Sequence, residues 1–291
     1  IDIEFYFYSW SMETGEDFWV QFYDGSTWRT VASYASGTSF NNNSFYVATV
    51  NIPSTSYNFP SNAQFRFRCD ASSNSDHIYI DQVTITGNTV NNIIAYGINV
   101  DGWTATGTFT ITNNQVTNVG DNPGNARSAI YLSTLSGNGA CSGTGSVVVQ
   151  GNTVTSGYGW GINVDVENSC IDNNTVTGKQ SGIHISGPGY GNAQSNYNII
   201  SNNVVIPNTN DGIVVVGSGN TIDSNTVTDS QYGSGFKFDS RSQNNIITNN
   251  VANNNNEYGF FFYTDSTGHT FTGNTASGNG LGDIEGISTG S

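Results

Sequence analysis

Two periodicities divide this chain. Over its first 87 residues, apolar and polar side chains alternate in short runs: Phe18, Val20 and Phe22 share one face of DFWVQFYDG, while Phe65, Phe67 and Cys69 oppose Arg66 and Arg68 in QFRFRCD. Alternation with period two is the mark of half-buried strands. The runs IDIEFYFY, FYVATVNI and HIYIDQV repeat it between clusters of Gly, Asn, Ser and Pro, which predicts an antiparallel sandwich over residues 1–87.

Beyond Gly87 the texture changes and two fragments recur. The first is GNTV at Gly87, NNQV at Asn113, GNTV at Gly151, NNTV at Asn173, SNNV at Ser201, SNTV at Ser224, TNNV at Thr248 and GNTA at Gly273. The second is GINV at Gly97, AIYL at Ala129, GINV at Gly161, GIHI at Gly182, GIVV at Gly212, GFKF at Gly235 and GFFF at Gly259. The steps of 23 and 24 residues from Gly212 to Gly235 to Gly259 fit one three-stranded coil of a solenoid, and longer steps such as the 32 from Gly97 to Ala129 require extruded loops.

Parity within the second fragment fixes the inward side chains. Ile98, Ile130, Ile162, Ile183, Ile213, Phe236 and Phe260 form one expected buried column, with Val100, Leu132, Val164, Ile185, Val215, Phe238 and Phe262 beside it. The Gly or Asn ahead of a fragment is read as a tight turn, since Gly tolerates positive φ at no steric cost and Asn tolerates it better than most residues. Asn88, Asn114, Asn152, Asn174, Asn202, Asn225, Asn249 and Asn274 are expected to stack and bond through their amides.

Residues 1–87 resemble the jelly-roll modules appended to secreted bacterial proteins, the likeness lying in GEDFWVQFYDGSTW and FRFRCDASSNSDHIYIDQVTITG. Residues 88–291 form the second region, and its returning fragments, over roughly residues 86–287, resemble the right-handed parallel β-helix family, which includes pectate-lyase-like and alginate-lyase-like enzymes, phage tailspikes and many surface proteins. The resemblance implies an all-β chain, a sandwich followed by a right-handed parallel β-helix of about eight coils. It implies no single activity, because one fold hosts many sites.

Composition narrows the partners. Only 10% of residues are charged and Gly numbers 35, which favours strands and turns over helices. A net charge of −15 repels phosphate backbones and anionic membranes, so nucleic acid is excluded as a partner while neutral glycans and divalent cations stay open. No apolar run reaches the length of a membrane span, which argues against membrane insertion. The chain opens without Met inside a strand-like run, as a mature or truncated product would, and an extracellular or cell-surface location is expected.

The three cysteines have no metal-site spacing. Cys141, on the GNGACSGTG insert, and Cys170 are the expected disulfide pair, and Cys69 is expected to lie buried alone. The sequons at Asn42 and Asn173 suit an exported glycoprotein.

Candidate chemistry falls on the outward parity of the second fragment. The resemblance implies that a glycan crosses such a sheet. General acid–base work there requires groups such as Asp165, His184, Lys237 and Asp239, with His184 as proton acceptor and Lys237 steadying a uronate. The same residues are equally ordinary solvated positions on a strand. Tyr131, Asn163, Val214, Phe261 and Tyr263 form the expected contact face, for sugar stacking or for a covering loop or subunit. In the first segment Glu16, Asp17, Asp70 and Asp81, with Glu13 and Asp76 nearby, offer hard oxygen ligands for Ca²⁺, and jelly-roll likeness implies a structural calcium.

Three functions follow from this reading. The first is an extracellular β-helix protein for adhesion, glycan contact or filament-like self-assembly, without catalysis. The second is a polysaccharide lyase or glycoside hydrolase working on the exposed face. The third is a carbohydrate-binding sandwich on a β-helix spacer. End-to-end assembly is expected because GLGDIEGISTGS is too short and Gly-rich for a capping helix, leaving Phe260, Phe262 and Phe271 near the open end.

Overall fold

The computed structural model describes residues 1–60, 63–93, 96–106, 108–120, 127–137, 139–142, 146–186 and 195–287, with side chains at 81–82, 93, 101–106 and 134–136 outside that description. Every regular element among the described residues is a strand.

The N-terminal segment forms two antiparallel layers. In one, β1 (Asp2–Trp10) pairs with β4 (Phe45–Asn51) on one side and β6 (His77–Thr86) on the other. In the other, β2 (Asp17–Tyr23) lies between β3 (Trp28–Ala35) and β5 (Gln64–Cys69). Alternate residues of each layer point inward, so Ile3, Phe5 and Phe7 meet Phe18, Val20 and Phe22 in an aromatic core. Ring centroids lie 4.8 Å apart for Phe5–Phe67 and for Phe7–Phe18. Cys69 is unbridged as expected, but although it shares the parity of Phe65 and Phe67 it is exposed rather than buried. It is the last residue of β5.

After β6 the chain winds through three parallel sheets. The first collects β6, β9 (Phe109–Thr112), β12 (Val147–Gln150), β15 (Ser169–Asp172), β18 (Ile199–Ser201), β21 (Thr221–Asp223), β24 (Ile246–Thr248) and β27 (Thr270–Thr272). The second collects β7 (Thr89–Ile93), β10 (Gln115–Val119), β13 (Thr153–Thr155), β16 (Thr175–Thr177), β19 (Val204–Val205), β22 (Thr226–Thr228), β25 (Val251–Asn253) and β28 (Thr275–Ser277). The third collects β8 (Ile98–Thr106), β11 (Ile130–Ser136), β14 (Trp160–Glu167), β17 (Ser181–Ile185), β20 (Ile213–Val215), β23 (Phe236–Phe238), β26 (Tyr258–Phe262) and β29 (Gly282–Glu285). Eight strands deep gives seven coil-to-coil steps.

The two regions share a sheet. β6 is antiparallel to β1 but parallel to β9, with Val83 opposite Phe109 and Ile85 opposite Ile111. Residue 87 therefore marks a change in pairing sense rather than a break in hydrogen bonding. Phe65 and Phe109 pack against both cores.

The inward column stands as the parity predicts. Ile98, Ile130, Ile162, Ile183, Ile213, Phe236 and Phe260 pair in register, and none is more than 7% exposed. Each such side chain contributes about 1.5–3 kcal/mol by leaving water, so the column alone outweighs any single polar contact on the surface.

The asparagine ladder differs from the expected one at two rungs. It runs through Asn88, Asn114, Asn152, Asn174, Asn203, Asn225, Asn250 and Asn274, and from Asn114 on each amide oxygen accepts the backbone N–H and the side-chain N–H of the preceding rung. Asn202 and Asn249 instead hold the turn residue before it, at φ of 54° and 56°. Glycines opening the second fragment also act otherwise than expected. A Cβ on Gly212 would lie 2.1 Å from Val227 Cγ1 and 2.7 Å from the Gly235 carbonyl oxygen, so close packing requires glycine there, not a positive φ.

At the C-terminal end the Gly-rich segment continues the solenoid. β29 pairs with β26 and places Ile284 against Phe260. Phe260 and Phe262 are accordingly buried rather than left at an open end, and Phe271 is half-buried.

Candidate functional site

Parallel pairing brings the outward residues of the third sheet into register: Tyr131 beside Asn163, then His184, Val214, Lys237 and Phe261. One parity step along the strands, Asp165 lies opposite Ser133. This face is largely committed to its own contacts. The Tyr131 hydroxyl donates to Asp165 Oδ2 at 2.8 Å, and the Ser186 hydroxyl donates to Asp165 Oδ1 and, at 3.2 Å, to Asn163 Oδ1. Burial raises the pKa of Asp165, against the lowering effect of Ser186 and Tyr131. Burial, reinforced by the Asp165 carboxylate, also pushes Tyr131 up to about 12, so the phenol keeps its proton and donates.

The basic candidates are likewise engaged. Lys237 Nζ pairs with Asp211 at 3.0 Å; burial works against its charge, yet the Asp211 carboxylate raises its pKa overall. Asp239 pairs with Arg241 at 3.1 Å, and the Arg241 N–H and guanidinium overcome burial to lower its pKa. His184 stacks on Trp160 with centroids 4.9 Å apart and planes 11° apart. Burial lowers its pKa to about 4 despite Asp239 and Asp211, so the ring is neutral at pH 7, with Nδ1 buried and unpartnered. His184 and Lys237 are separated by two strand steps through Val214, about 10 Å at normal strand spacing. The structure does not bring the four acid–base candidates to one point. The expected contact face is reduced too: Val214 and Phe261 are half-buried, and Tyr263 is exposed.

Cys141 and Cys170 form a disulfide with a Cα–Cα distance of 5.1 Å. It pins the insert after β11 to the outer face of β15. Asn42 holds Met12 through both ends of its amide, accepting from the Met12 N–H at 3.0 Å and donating to the Met12 carbonyl at 2.7 Å. Asn173 is exposed on a turn.

The acidic residues of the N-terminal segment do not converge as expected. Asp70 Oδ1 accepts from the Asp17 backbone N–H at 2.6 Å, Asp17 Oδ2 accepts from Ser33, and the Asp81 side chain lies outside the described residues. Glu16 joins Glu13 and Asp76 instead, with one carboxylate oxygen of each within 4.8 Å of the others. Glu13 has a raised pKa, first from its hydrogen bond with Glu16, then from burial and the neighbouring charges.

One surface lies outside these expectations. The outward parity of the β4–β1–β6 layer carries Tyr6, Tyr8, Trp10, Phe45, Val47, His77 and Tyr79. Register sets Tyr8 between Phe45 and Tyr79, and Trp10 beside His77. Ring centroids are 4.9 Å apart for Tyr8–Phe45 and 6.2 Å for Tyr8–Tyr79. Phe45 is 73% exposed, Tyr79 55% and Trp10 51%. Its signal is present in IDIEFYFYSW, whose second parity, Tyr6, Tyr8 and Trp10, is as aromatic as its first. Convergence with Phe45 and Tyr79 becomes visible only through strand pairing.

The sequence model of the family described as a right handed beta helix region matches residues 136–291. No curated protein and no solved structure matches the chain.

Proposed function

The chain belongs to the right-handed β-helix family, and from that premise we propose that it is an extracellular glycan-binding protein that holds neutral sugar chains without cleaving them. The observation that carries this reading is the row Phe45–Tyr8–Tyr79, with Trp10 at its flank, open to solvent on a sheet face. Aromatic rings with one open face stack on the apolar faces of sugars, and an apolar patch of this kind marks a contact surface. The β-helix then serves as a rigid support continuous with that sheet through β6 and β9.

Neutral glycans are favoured over uronate polymers. The net charge is −15, Asp2 and Glu4 lie on the same outward parity of β1, and the strands β1, β4 and β6 contain no lysine or arginine to meet a carboxylate. The Cys141–Cys170 disulfide supports an oxidising, extracytoplasmic setting.

Cleavage on the third sheet is the second reading, favoured by the buried carboxyl of Asp165 beside the Tyr131 and Ser186 hydroxyls. Incubating the chain with neutral and uronate polysaccharides, and following reducing ends and unsaturated products, separates the two. Retention without new chain ends supports binding, whereas release of ends that is lost in Asp165→Asn establishes the enzyme.

A further inference from the structure

We infer that the outward face of the β3–β2–β5 layer binds an acidic sugar residue, a uronate, through Arg66 and Arg68. Strand register gathers this face. Across β2, Trp19 lies between Ser33 and Arg68, Gln21 between Thr30 and Arg66, and Tyr23 between Trp28 and Gln64. The opposite parity of β2, Phe18, Val20 and Phe22, fills the core, so these side chains point outward. Two of the seven basic residues of a chain with net charge −15 therefore stand two positions apart on one face.

Neither arginine is paired with a carboxylate. Among the described residues the ion pairs are Arg29–Asp24, Lys237–Asp211 and Arg241–Asp239, and Asp17, on the same parity of β2, accepts from the Ser33 hydroxyl at 3.3 Å. Arg66 is nevertheless held in one orientation. Its guanidinium carbon lies 4.0 Å from the centre of the Trp28 ring, and its Nε donates to Gln21 Oε1 at 3.0 Å. Gln21 is fixed in turn, donating from Nε2 to the Thr30 hydroxyl at 3.2 Å. A guanidinium carries its N–H groups in a rigid planar fork, so holding Nε leaves the two terminal nitrogens to grip both oxygens of a carboxylate. Arg68 is exposed, 5.9 Å from the centre of the Trp19 ring, and adds a second charge. Trp19 and Tyr23, half-buried on the same face, supply aromatic surface for the sugar ring that bears the carboxylate. The net charge of −15 repels a polyuronate as a whole, so the ligand is a mostly neutral chain with isolated uronate residues. The sugar part of this assignment rests on the glycan-binding reading, and the acid part on the two arginines alone.

The test is calorimetric titration of the whole chain at low salt with a neutral glucose oligosaccharide, and with the same oligosaccharide carrying one ring oxidised to glucuronate. The acidic form is expected to bind about tenfold or more tighter, as charge-assisted hydrogen bonds to one carboxylate provide. Arg66→Gln is expected to erase that difference and to leave the neutral affinity unchanged, since the open aromatic row lies on the other layer. Arg68 is exposed, so Arg68→Gln tests the same face without disturbing its packing, and it is expected to weaken acidic binding about threefold. Equal affinity for the two oligosaccharides, or a preference that survives both substitutions, overturns the assignment. Equal affinity for acetate or for a triglutamate peptide also overturns it, by giving the arginines to carboxylates at large. Tight binding of the acidic form alone supports this face while removing the neutral-glycan reading, so the two fail separately.

Discussion

The asparagine rungs show how much a single residue can carry in this chain. Asn203 donates to Asn225 Oδ1 at 2.9 Å and to the Ile171 carbonyl at 2.8 Å, and it accepts two N–H groups of Asn174 at 3.0 Å. Replacing it with alanine strands these buried partners, each costing about 1–3 kcal/mol, so Asn203→Ala is expected to lower unfolding free energy by about 2–4 kcal/mol. Asn202→Gly, one residue away at a positive φ, is expected to cost under about 1 kcal/mol, since glycine takes that conformation freely. Urea denaturation of the two variants checks the register of the ladder. The sequence could not separate them: SNNV and TNNV each hold two adjacent asparagines, and only coil-to-coil pairing decides which amide turns inward. Lys179 was illegible for a related reason. It is fully buried in a solenoid turn, where its Nζ donates to the Val119 and Tyr158 carbonyls at 2.9 and 2.8 Å, contacts made across coils. His184 gives a pH test at the same scale. Its folded pKa of about 4 lies below the ordinary 6.5, so between those values the unfolded chain binds more protons and stability rises with pH. The contribution is fully present above pH 6.5 and is lost on acidification toward pH 4, by up to about 3 kcal/mol. The buried Asp165, with its raised pKa, works in the opposite sense, losing stabilisation as pH rises through its folded value. Denaturation at pH 7 and pH 4.5 is expected to show a smaller acid loss in His184→Gln than in the native chain, and equal losses would contradict a neutral imidazole with a buried Nδ1.

Strands and their connections follow from simpler rules than site residues do. Seven repetitions of one parity are enough to place the inward column, because a one-residue slip would expose every member at once. The outward column was placed equally well, but its chemistry was not, because pairing between Tyr131 and Asp165, or Lys237 and Asp211, joins residues from different coils and loops. Even the role of the glycines opening each fragment required the neighbouring coil, whose carbonyl and valine methyl groups fill the space a side chain would need. The insert between β11 and β12 is held by a covalent link instead. Cys141 and Cys170 are 29 residues apart, and closing a loop of that length restricts the unfolded chain by about 3.5 kcal/mol in the chain-entropy model. The double variant Cys141→Ser, Cys170→Ser is expected to lose about 2–4 kcal/mol of unfolding free energy, and reductant is expected to have the same effect on the native chain but none on the variant. A reductant-insensitive native chain would show that the link contributes no stability.

At the scale of the whole molecule, the solenoid is a stiff rod whose first sheet runs without interruption into a small aromatic-faced layer. The far end carries the last strands β27, β28 and β29 as sheet edges, with Leu281 and Ile284 exposed there. Beside the third sheet Lys237 is paired with Asp211 and Asp239 with Arg241, while the N-terminal layer shows open rings. The proposed reading places binding on the layer and support in the rod. The most direct measurement is affinity electrophoresis of the full chain in gels containing neutral or uronate polysaccharides, beside Trp10→Ala, Tyr79→Ala and the third-sheet variant Trp160→Ala. The expected result is retardation by a neutral glycan that falls at least about tenfold in Trp10→Ala and Tyr79→Ala, in keeping with the loss of an anchoring aromatic ring, and that persists in Trp160→Ala. Unchanged retardation in both N-terminal variants, or its loss in Trp160→Ala alone, would contradict it.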